Sequence, residues 1–221
     1  MIRIPSWACR LFSNDQNRVL RLRSMEVNKT IKVCREILID WEKYVILDTE
    51  TTGLTEKDVI IQIAIIDLNG NELVNTNVRS IKAKRISKEA TEVHGINTNM
   101  LRFAPSFGEI IDDIYKLSKN KIFLIYNAEF DGRMLKQTCY YNNLNSFNIR
   151  AICIQKLYSI FKGEWSEYYN NYKFQKLPNS SHNAKGDCLA TLNLIKKIAK
   201  NDFTILPEEK YTIFGKKINL F

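Results

Sequence analysis

Histidine is scarce in this sequence, and its cysteines are not paired. Only two histidines, His94 and His182, occur among 221 residues, which is too few for a histidine-rich zinc site. The 5 cysteines are scattered without a C-x-x-C pair, and their odd number favours reduced thiols in a cytosolic compartment. No segment approaches the ~20 apolar residues that a membrane span needs. The sequence therefore predicts a cytoplasmic protein with neither a zinc cluster nor a membrane segment.

Acidic residues are outnumbered by basic ones. Lys and Arg total 33 against 24 Asp and Glu, which gives a net charge of +9 and a pI near 9.2. This balance favours a polyanionic partner, because lysine and arginine release counterions from phosphates. Many proteins use the same excess of positive charge for solubility alone. Composition by itself therefore favours nucleic acid only modestly.

Length and composition indicate one globular domain with an extension at each end. We expect a basic helical extension over residues 1–43, a domain over 44–200 and a tail over 201–221. The helical spacing in the extension is carried by Ile31, Cys34, Leu38 and Trp41. A helix packed on the following domain is the preferred interpretation, rather than a basic arm on DNA.

Apolar runs predict a mixed sheet flanked by helices. Residues 45–47 and 59–68 read as the first two strands, and Asn69-Gly70 is a hairpin signal leading into a third strand over 72–80. These three strands should form an antiparallel meander. Residues 122–126 and 146–154 predict a fourth and a fifth strand, and Ser106 with Glu109 predicts a capped helix before them. The fold class is α/β with five strands.

Two carboxylates, Asp48 and Glu50, follow the first strand directly. Side chains at i and i+2 of a strand point to the same face, so these two should project together. Like charges held that close need a cation, a shared proton or open water. Solvated acids at a surface strand end would show the same spacing, so the rest of the chain has to decide.

Two more carboxylates occur at comparable positions. Asn127 is a good N-cap after the fourth strand, which places Asp131 near the positive end of the next helix. Asp187 lies near the start of the last predicted helix, and His182 lies in the loop before it. A histidine in a loop can move while an aspartate on a helix is held rigid. The pair suits a mobile base beside a fixed metal ligand.

The four carboxylates could converge on one edge of the sheet. Ligation by oxygen alone selects hard cations such as Mg²⁺ or Mn²⁺ over zinc. Two such ions about 3.5–4 Å apart stabilise the attacking and the leaving oxygen of an in-line phosphoryl displacement. Histidine titrates near neutral pH, so His182 could take the proton from the attacking water. The predicted chemistry is phosphodiester hydrolysis.

Four motifs together resemble those of the DEDDh 3′→5′ exonucleases. They are D-T-E-T-T-G-L at 48–54, V-H-G-I at 93–96, N-A-E-F-D at 127–131 and H-N-A-K-G-D at 182–187. They stand in the family's order over roughly residues 43–200, and so ordered a set is highly specific. The family includes the proofreading subunit of bacterial DNA polymerase III. The resemblance implies a ribonuclease H-like fold.

The resemblance also implies residue roles. The residues that would bind two Mg²⁺ ions, which Mn²⁺ could replace, are Asp48, Glu50, Asp131 and Asp187. His182 would be the general base and completes the catalytic set. The residues that would contact substrate are Thr51, Leu54, Glu89, His94 and Asn127. Tyr126 stands where relatives often have histidine, which puts nucleotide preference in doubt rather than activity.

The expected reaction is removal of 3′-terminal nucleotides as monophosphates from single-stranded or frayed DNA, in replication, repair or proofreading. An exoribonuclease that trims RNA 3′ ends is the alternative within the same chemistry. A non-catalytic nucleic-acid-binding or scaffold protein is an alternative of another class. The presence of all five catalytic side chains argues against that scaffold.

Two other segments could contact partners. The aromatic stretch 165–174 includes Tyr168 and Tyr169, which could stack on bases, although packing is the commoner role of such residues. The terminal K-I-N-L-F at 217–221 resembles the Q-L-x-L-F tail with which several bacterial replication proteins dock on the sliding clamp. Lys217 replaces the glutamine of that motif. An edge strand, or a tail ending at Phe221 that folds back on its own domain, is therefore preferred to a clamp-binding tail.

Overall fold

The computed structural model of this chain describes residues 16–79, 85–204, 211–213 and 216–218. For residues 16–20, 211–213 and 216–218 the description is limited to the backbone. Three predicted features therefore fall outside the described residues: the N-terminus up to residue 15, Ser80 at the end of the third predicted strand, and residues 219–221 of the tail. No helix in the described ranges has the length and apolar character to cross a membrane.

Helices and strands alternate through most of the described chain. The helices are α1 (Gln16–Ile39), α2 (Lys88–His94), α3 (Phe107–Asn120), α4 (Ala128–Tyr141), α5 (Ile154–Lys162) and α6 (Ala184–Ala199). The strands are β1 (Tyr44–Thr51), β2 (Ile60–Ile66), β3 (Glu72–Asn77), β4 (Ile122–Ile125), β5 (Ala151–Cys153), β6 (Trp165–Ser166), β7 (Asn171–Tyr172), β8 (Tyr211–Ile213) and β9 (Lys216–Ile218).

The chain forms two compact units. The first unit comprises Met1–Arg35, Lys156–Gln175 and Lys197–Phe221, and the second comprises Glu36–Gln155 and Lys176–Lys196. The predicted division of the sequence into residues 1–43, 44–200 and 201–221 stays a prediction.

The first unit contains two short antiparallel hairpins. Trp165 pairs with Tyr172 in the hairpin β6–β7. Thr212 pairs with Lys217 in the hairpin β8–β9. The backbone of Lys217 and Ile218, at the start of the clamp-like sequence, therefore lies in a strand.

The second unit contains a five-stranded sheet with the order β3-β2-β1-β4-β5. β2 pairs antiparallel with β1 and β3, whereas β4 pairs parallel with β1 and β5. This confirms the predicted mixed sheet and its antiparallel first three strands. The parallel pairs bring the carboxyl ends of β1 and β4 to the same edge, which is where open α/β sheets bind ligands.

Strand β1 lies in the middle of this sheet and is apolar until its last residues. Val45 and Leu47 are buried in one core with Phe107 of α3 and Met134 of α4. Because side chains alternate along a strand, Ile46 points to the opposite face and Asp48 shares that face. The core that holds β1 in place therefore positions a carboxylate at the end of the strand.

Helix α1 confirms the helical spacing in the N-terminal extension. Ile31 and Cys34 are 1% and 0% exposed. The helix ends at Ile39, however, and a 3₁₀ turn over Trp41–Lys43 follows, in which the N–H of Lys43 donates to the carbonyl of Asp40. Trp41 lies in this 3₁₀ turn and is 40% exposed, so the α-helix does not extend to this last residue of the predicted helical spacing.

Two predicted helix starts are confirmed. Both the N–H and the Oγ of Ser106 donate to Glu109, which forms the capping box of α3. Asn127 Oδ1 accepts from the N–H of Phe130 and caps α4. Asp131 consequently lies in the first turn of α4, as predicted.

Candidate active site

Three predicted metal ligands lie together at the end of β1. One oxygen each from Asp48, Glu50 and Asp187 lies within 4.8 Å of the other two. We call these three residues the carboxylate cluster. The cluster joins the central strand of the sheet to the first turn of α6.

Gln62 holds the start of α6 beside β1. It pairs with Glu50 across the β1–β2 ladder, so the two side chains share a face of the sheet. Its Oε1 accepts from the N–H of Ala184, the first residue of α6, at 2.9 Å. This bond places Asp187 over the face that carries Asp48 and Glu50.

Asp131 approaches from the opposite face of the sheet. Its helix α4 packs against the Val45 and Leu47 face of β1, and Thr49 shares that face by alternation. Thr49 Oγ1 donates to Asp131 Oδ1 at 2.7 Å, and Asp131 is 3% exposed. The structure thus brings Asp131 beside the carboxylate cluster without making it one of the three mutually close ligands.

Burial and neighbouring negative charge raise the pKa of three carboxylates at this site. Burial raises the pKa of Asp48 well above its ordinary value, and the charges of Asp131, Asp187 and Glu50 raise it further. Burial and the charges of Asp187 and Asp131 raise the pKa of Glu50 to about 7. Burial also raises the pKa of Asp131 to about 7, against the lowering effect of the hydrogen bond from Thr49. Without a compensating cation, these side chains keep their protons to a higher pH than ordinary carboxylates do.

Both oxygens of Asp187 are held by the loop that precedes α6. Ser180 Oγ donates to Asp187 Oδ2 at 2.6 Å, and the N–H of Ser181 donates to Oδ1 at 2.7 Å. Ser180 Oγ also lies 3.5 Å from His182 Nδ1. Since the one hydroxyl proton of Ser180 goes to Asp187, a hydrogen bond at this contact requires the tautomer with Nδ1–H, in which Nε2 of the neutral ring keeps its lone pair.

His182 itself is exposed and has a left-handed backbone, with φ of 53°. Histidine tolerates this region better than most residues other than asparagine, aspartate and glycine. The exposed ring is free to turn, whereas Asp187 on the helix is fixed. The predicted roles of a mobile base and a rigid metal ligand stay predictions.

His94 joins α2 to the end of β1. The N–H of Ile96 donates to His94 Nδ1 at 3.0 Å, so Nε2 carries the proton of the neutral ring and donates to the carbonyl of Thr51 at 3.2 Å. Burial lowers the pKa of His94, and the charge of His182 lowers it further, against the raising effect of Thr51. The two histidines are therefore close enough to interact.

The loop between β1 and β2 is folded around Asp58. Its carboxylate accepts from Thr52 Oγ1 at 2.8 Å and from the N–H of Thr55 at 2.7 Å. A Cβ at Gly53 would lie 2.8 Å from Asp58 Oδ2, so only glycine fits this close approach. The close approach of Asp58 therefore explains why the first motif has glycine at position 53.

Helix α4 supports the same loop from outside. Arg133 donates to the carbonyls of Leu54 and Thr55 at 3.2 and 3.4 Å. Gln137 donates to the carbonyls of Thr55 and Asp58. These bonds hold the backbone of Leu54 while its side chain stays 76% exposed.

The other predicted substrate residues occupy varied environments. Thr51 is buried, and its Oγ1 donates to the carbonyl of Gly53 at 2.7 Å. Glu89 is exposed in the first turn of α2. Asn127 is half-buried and caps α4. Thr51 and His94 are in direct contact, whereas the roles of all five residues toward substrate stay predictions.

The carboxylate cluster fits a hard divalent cation. Its donors are carboxylate oxygens, which Mg²⁺ and Mn²⁺ prefer over the nitrogen and sulfur ligands typical of zinc. The raised pKa values of Asp48 and Glu50 show that negative charge is crowded at this point. A divalent cation would relieve that repulsion and favour the ionised forms.

Sequence reasoning missed the residues that position the ligands. Thr49 lies inside the first motif, but its contact with Asp131 forms only when α4 packs against the sheet. Ser180 precedes the last motif and could have been noticed as a short polar residue near Asp187. Gln62 and Asp58 carry no local signal, because their partners are set by strand pairing and loop closure.

Comparison with known proteins finds exonucleases among the relatives of this chain. A family model described as Exonuclease (RNase_T) matches residues 45–195. The "Uncharacterized exonuclease CP81" of Escherichia phage 186 is 34% identical over 173 residues, covering 71% of this chain and 88% of the phage protein. The DNA polymerase III subunit epsilon of Buchnera aphidicola subsp. Schizaphis graminum is 32% identical over 104 residues, covering 43% of this chain and 45% of that protein.

A solved structure shows the same fold. The nuclease domain of 3′hExo, a DEDDh family member bound to rAMP, superposes with a TM-score of 0.53 at 14% identity, covering 70% of this chain and 90% of that one. At this identity the likeness concerns the fold alone. The family model covers more than half of the chain, with the motifs in their expected order. The chain therefore belongs to the DEDDh 3′→5′ exonucleases, which have the ribonuclease H-like fold.

Proposed function

We propose that this exonuclease removes 3′-terminal nucleotides as monophosphates from single-stranded or frayed DNA by two-metal-ion hydrolysis. The observation that carries the proposal is the carboxylate cluster, with three ligands within 4.8 Å and Asp131 beside them. DNA is preferred as substrate because one relative is named as a DNA polymerase subunit and another is a phage exonuclease.

The four acidic residues Asp48, Glu50, Asp131 and Asp187 would hold the cations. When bound, two divalent cations supply an activated water and stabilise the attacking and leaving oxygens of the phosphodiester. Thr49 holds one oxygen of Asp131, and Ser180 holds one oxygen of Asp187. These hydrogen bonds orient the remaining lone pairs toward the ligand site.

His182 would act as general base through Nε2. The tautomer whose Nδ1–H faces Ser180 leaves Nε2 to accept the proton of the attacking water. The exposed position of the ring lets it release that proton to solvent after each turnover.

The end of β1 and its loop would receive the terminal nucleotide. The Leu54 side chain is exposed on a backbone fixed by Arg133, so it can pack on a base without first being ordered. Thr51 and His94 would line the same end of the strand, and Glu89 and Asn127 are the remaining proposed contacts.

The test is degradation of 5′-labelled single strands of one sequence, made as DNA and as RNA, in the presence of Mg²⁺. The expected result is a ladder shortening from the 3′ end, faster for DNA, with nucleoside 5′-monophosphates as the only small product. A faster reaction on RNA would replace this proposal with the exoribonuclease. No release from either strand would favour the non-catalytic scaffold.

A sliding clamp is the proposed partner for residues 217–221. The support is the resemblance of the terminal sequence, and it is weakened by Lys217 and by the pairing of the first two residues in β9. Deletion of 217–221 should leave activity on short oligonucleotides intact and reduce only clamp-dependent activity. Loss of basal activity in the deletion would contradict docking and favour a tail packed on the protein.

A further inference from the structure

The first unit contains a cavity of about 550 Å³ that the catalytic assignment does not use. Its walls come from α1, the end of α5 and the hairpin β6–β7. The lining residues that matter here are Arg23, Lys162, Gly163, Glu164, Trp165 and Lys173. We call this space the cationic cavity, because it is lined by three cationic side chains and one acidic side chain.

Two buried donors at this cavity lack acceptors. Among the described residues, neither Trp165 Nε1 nor Arg23 Nη1 has a hydrogen-bond partner, and both atoms are buried. Trp165 as a whole is 8% exposed. Buried donors in native proteins are almost always paired, because an unpaired one costs about 1–3 kcal/mol. Both residues line the cavity. The two donor atoms are themselves closed off from solvent, so an acceptor in the cavity reaches them after a small shift of the groups that cover them.

Arg23 is held in place by the surrounding chain. Its guanidinium lies over the ring of Tyr172, 4.8 Å from the centroid, and Tyr172 in turn donates its hydroxyl hydrogen to Glu26. Gly163 has a φ of 74°, and a Cβ there would overlap the Arg23 guanidinium. The absence of a side chain at Gly163 therefore leaves room for the guanidinium of Arg23. The positive charge of Arg23 is thus held in position at the cavity without a ligand.

The hairpin that forms part of the cavity wall also carries exposed aromatic rings. Tyr168 and Tyr169 lie in the turn between β6 and β7 and are 88% and 76% exposed. Their rings meet edge to face, with centroids 4.7 Å apart. A cationic groove with adjacent aromatic side chains is the usual combination for binding single strands, since every base offers a face for stacking.

We propose that the first unit binds single-stranded nucleic acid, with a backbone phosphate in the cationic cavity and bases stacked on Tyr168 and Tyr169. The phosphate oxygens would accept from Trp165 and Arg23, and Lys162 and Lys173 would add charge at the rim. The proposal rests on the nuclease function only in that its ligand is a nucleic-acid strand. It requires neither the DNA preference nor the metal assignment.

The test measures binding without cleavage. A fluorescent oligothymidylate of about 20 nucleotides is titrated with protein in EDTA, and anisotropy is recorded at several salt concentrations. The double variant Lys162→Gln/Lys173→Gln should bind several-fold more weakly, and its slope of log K against log salt should fall by about 0.7 for each phosphate that the variant no longer neutralises. The matched control is Lys116→Gln/Lys119→Gln, which removes the same charge from α3.

Two further variants separate the donors from the stacking. Trp165→Phe keeps a ring and removes the N–H, so it should weaken binding without changing the salt slope. Tyr168→Ala/Tyr169→Ala should weaken binding about 5-fold or more. Tyr140→Ala removes a tyrosine that is 75% exposed on α4 and should have no effect.

Activity provides the second readout. A mononucleotide p-nitrophenyl ester carries no further backbone phosphate that could enter the cationic cavity, so its cleavage should stay unchanged in all of these variants. Binding equal to that of the lysine and tyrosine controls would overturn the proposal. Displacement of the oligonucleotide by nucleoside 5′-monophosphate at equal affinity would also overturn it, since the cavity would then hold free product. Failure of the exonuclease assay leaves these binding results fully interpretable.

Discussion

The carboxylate cluster of the second unit has an excess of negative charge, and the cationic cavity of the first unit has an excess of positive charge. In the cluster, neighbouring negative charges raise the pKa of Asp48, whereas the cavity has three cationic side chains and buried donors without acceptors in its lining residues. In both, neighbouring backbone and side chains hold the groups in place despite unfavourable electrostatics. The difference is burial: the cluster's charges are largely removed from water, while Lys162 and Lys173 remain exposed. Changes in the cluster should therefore have much larger effects.

The largest effect should come from removing a cluster ligand. Asp48→Asn or Asp187→Asn should lower turnover by more than the 10²–10⁴ expected for loss of a general base, because the cations would lose a ligand. Either variant should also melt at a higher temperature than wild type in EDTA, since like-charge repulsion is relieved. Asp113→Asn, at an exposed position on α3, is the matched control. Near-wild-type turnover at saturating Mg²⁺ would contradict the metal assignment.

Removal of the base should have the next largest effect. His182→Ala should lower the rate by about 10²–10⁴, with strand affinity changed much less. His182→Asn is the sharper variant, because asparagine tolerates the φ of 53° and separates loss of the imidazole from backbone strain. The acidic limb of the wild-type pH–rate profile should disappear in both variants. An unchanged rate with asparagine would remove His182 from the mechanism.

The metal-free protein should become less stable as the pH rises, because several carboxylates at the site have raised pKa values. Glu50 has a folded pKa of about 7 against an ordinary value of 4.5, and Asp131 has one of about 7 against 3.8. Between about pH 4 and 7 the folded state therefore binds more protons than the unfolded state. The contribution of these groups to the free energy of unfolding is fully present below about pH 4 and is lost as the pH rises through 7. The melting temperature in EDTA should fall over this window, and Mg²⁺ should reverse the fall. A rise instead would show that the carboxylates are not crowded.

The smallest effect should come from the hydrogen bond that orients Asp131. Thr49→Val keeps the shape and removes the donor, which should cost about 1 kcal/mol of stability and lower turnover roughly tenfold. Thr49→Ser keeps the hydroxyl and should behave nearly as wild type. Urea unfolding and single-turnover rates on a labelled strand measure the two effects. Equal behaviour of valine and serine would show that the bond does not orient the ligand.

Residues within contiguous motifs could be predicted from the sequence, and their supporting residues could not. The period of β1 placed Asp48 and Glu50 on one face, and the N-cap at Asn127 placed Asp131 in a first turn. Gln62 escaped prediction because its contact with Ala184 spans 122 positions and exists only once the sheet has formed. Trp41 was misassigned because the apolar spacing continues after the helix has ended.

The cationic cavity could be predicted from the sequence even less well than the residues that support the active site. Arg23 and Trp165 are far apart in the chain, and neither belongs to a recognisable motif. The only signal in the sequence was the cluster of tyrosines near residue 168, for which packing was the preferred interpretation. Their high exposure corrects that interpretation for Tyr168 and Tyr169, whereas Tyr172 does pack, on Trp165.

The central position of β1 also determines which parts of the site can open. Its residues from Ile46 to Leu47 are bonded to β2 on one side and to β4 on the other, so exposing their amides to exchange requires separating two ladders. Amides of this strand should exchange with deuterium at rates near those of global unfolding, whereas the exposed Ser181 and His182 segment should exchange by local opening. The two acids of β1 would then keep their places through fluctuations that carry the histidine away and back.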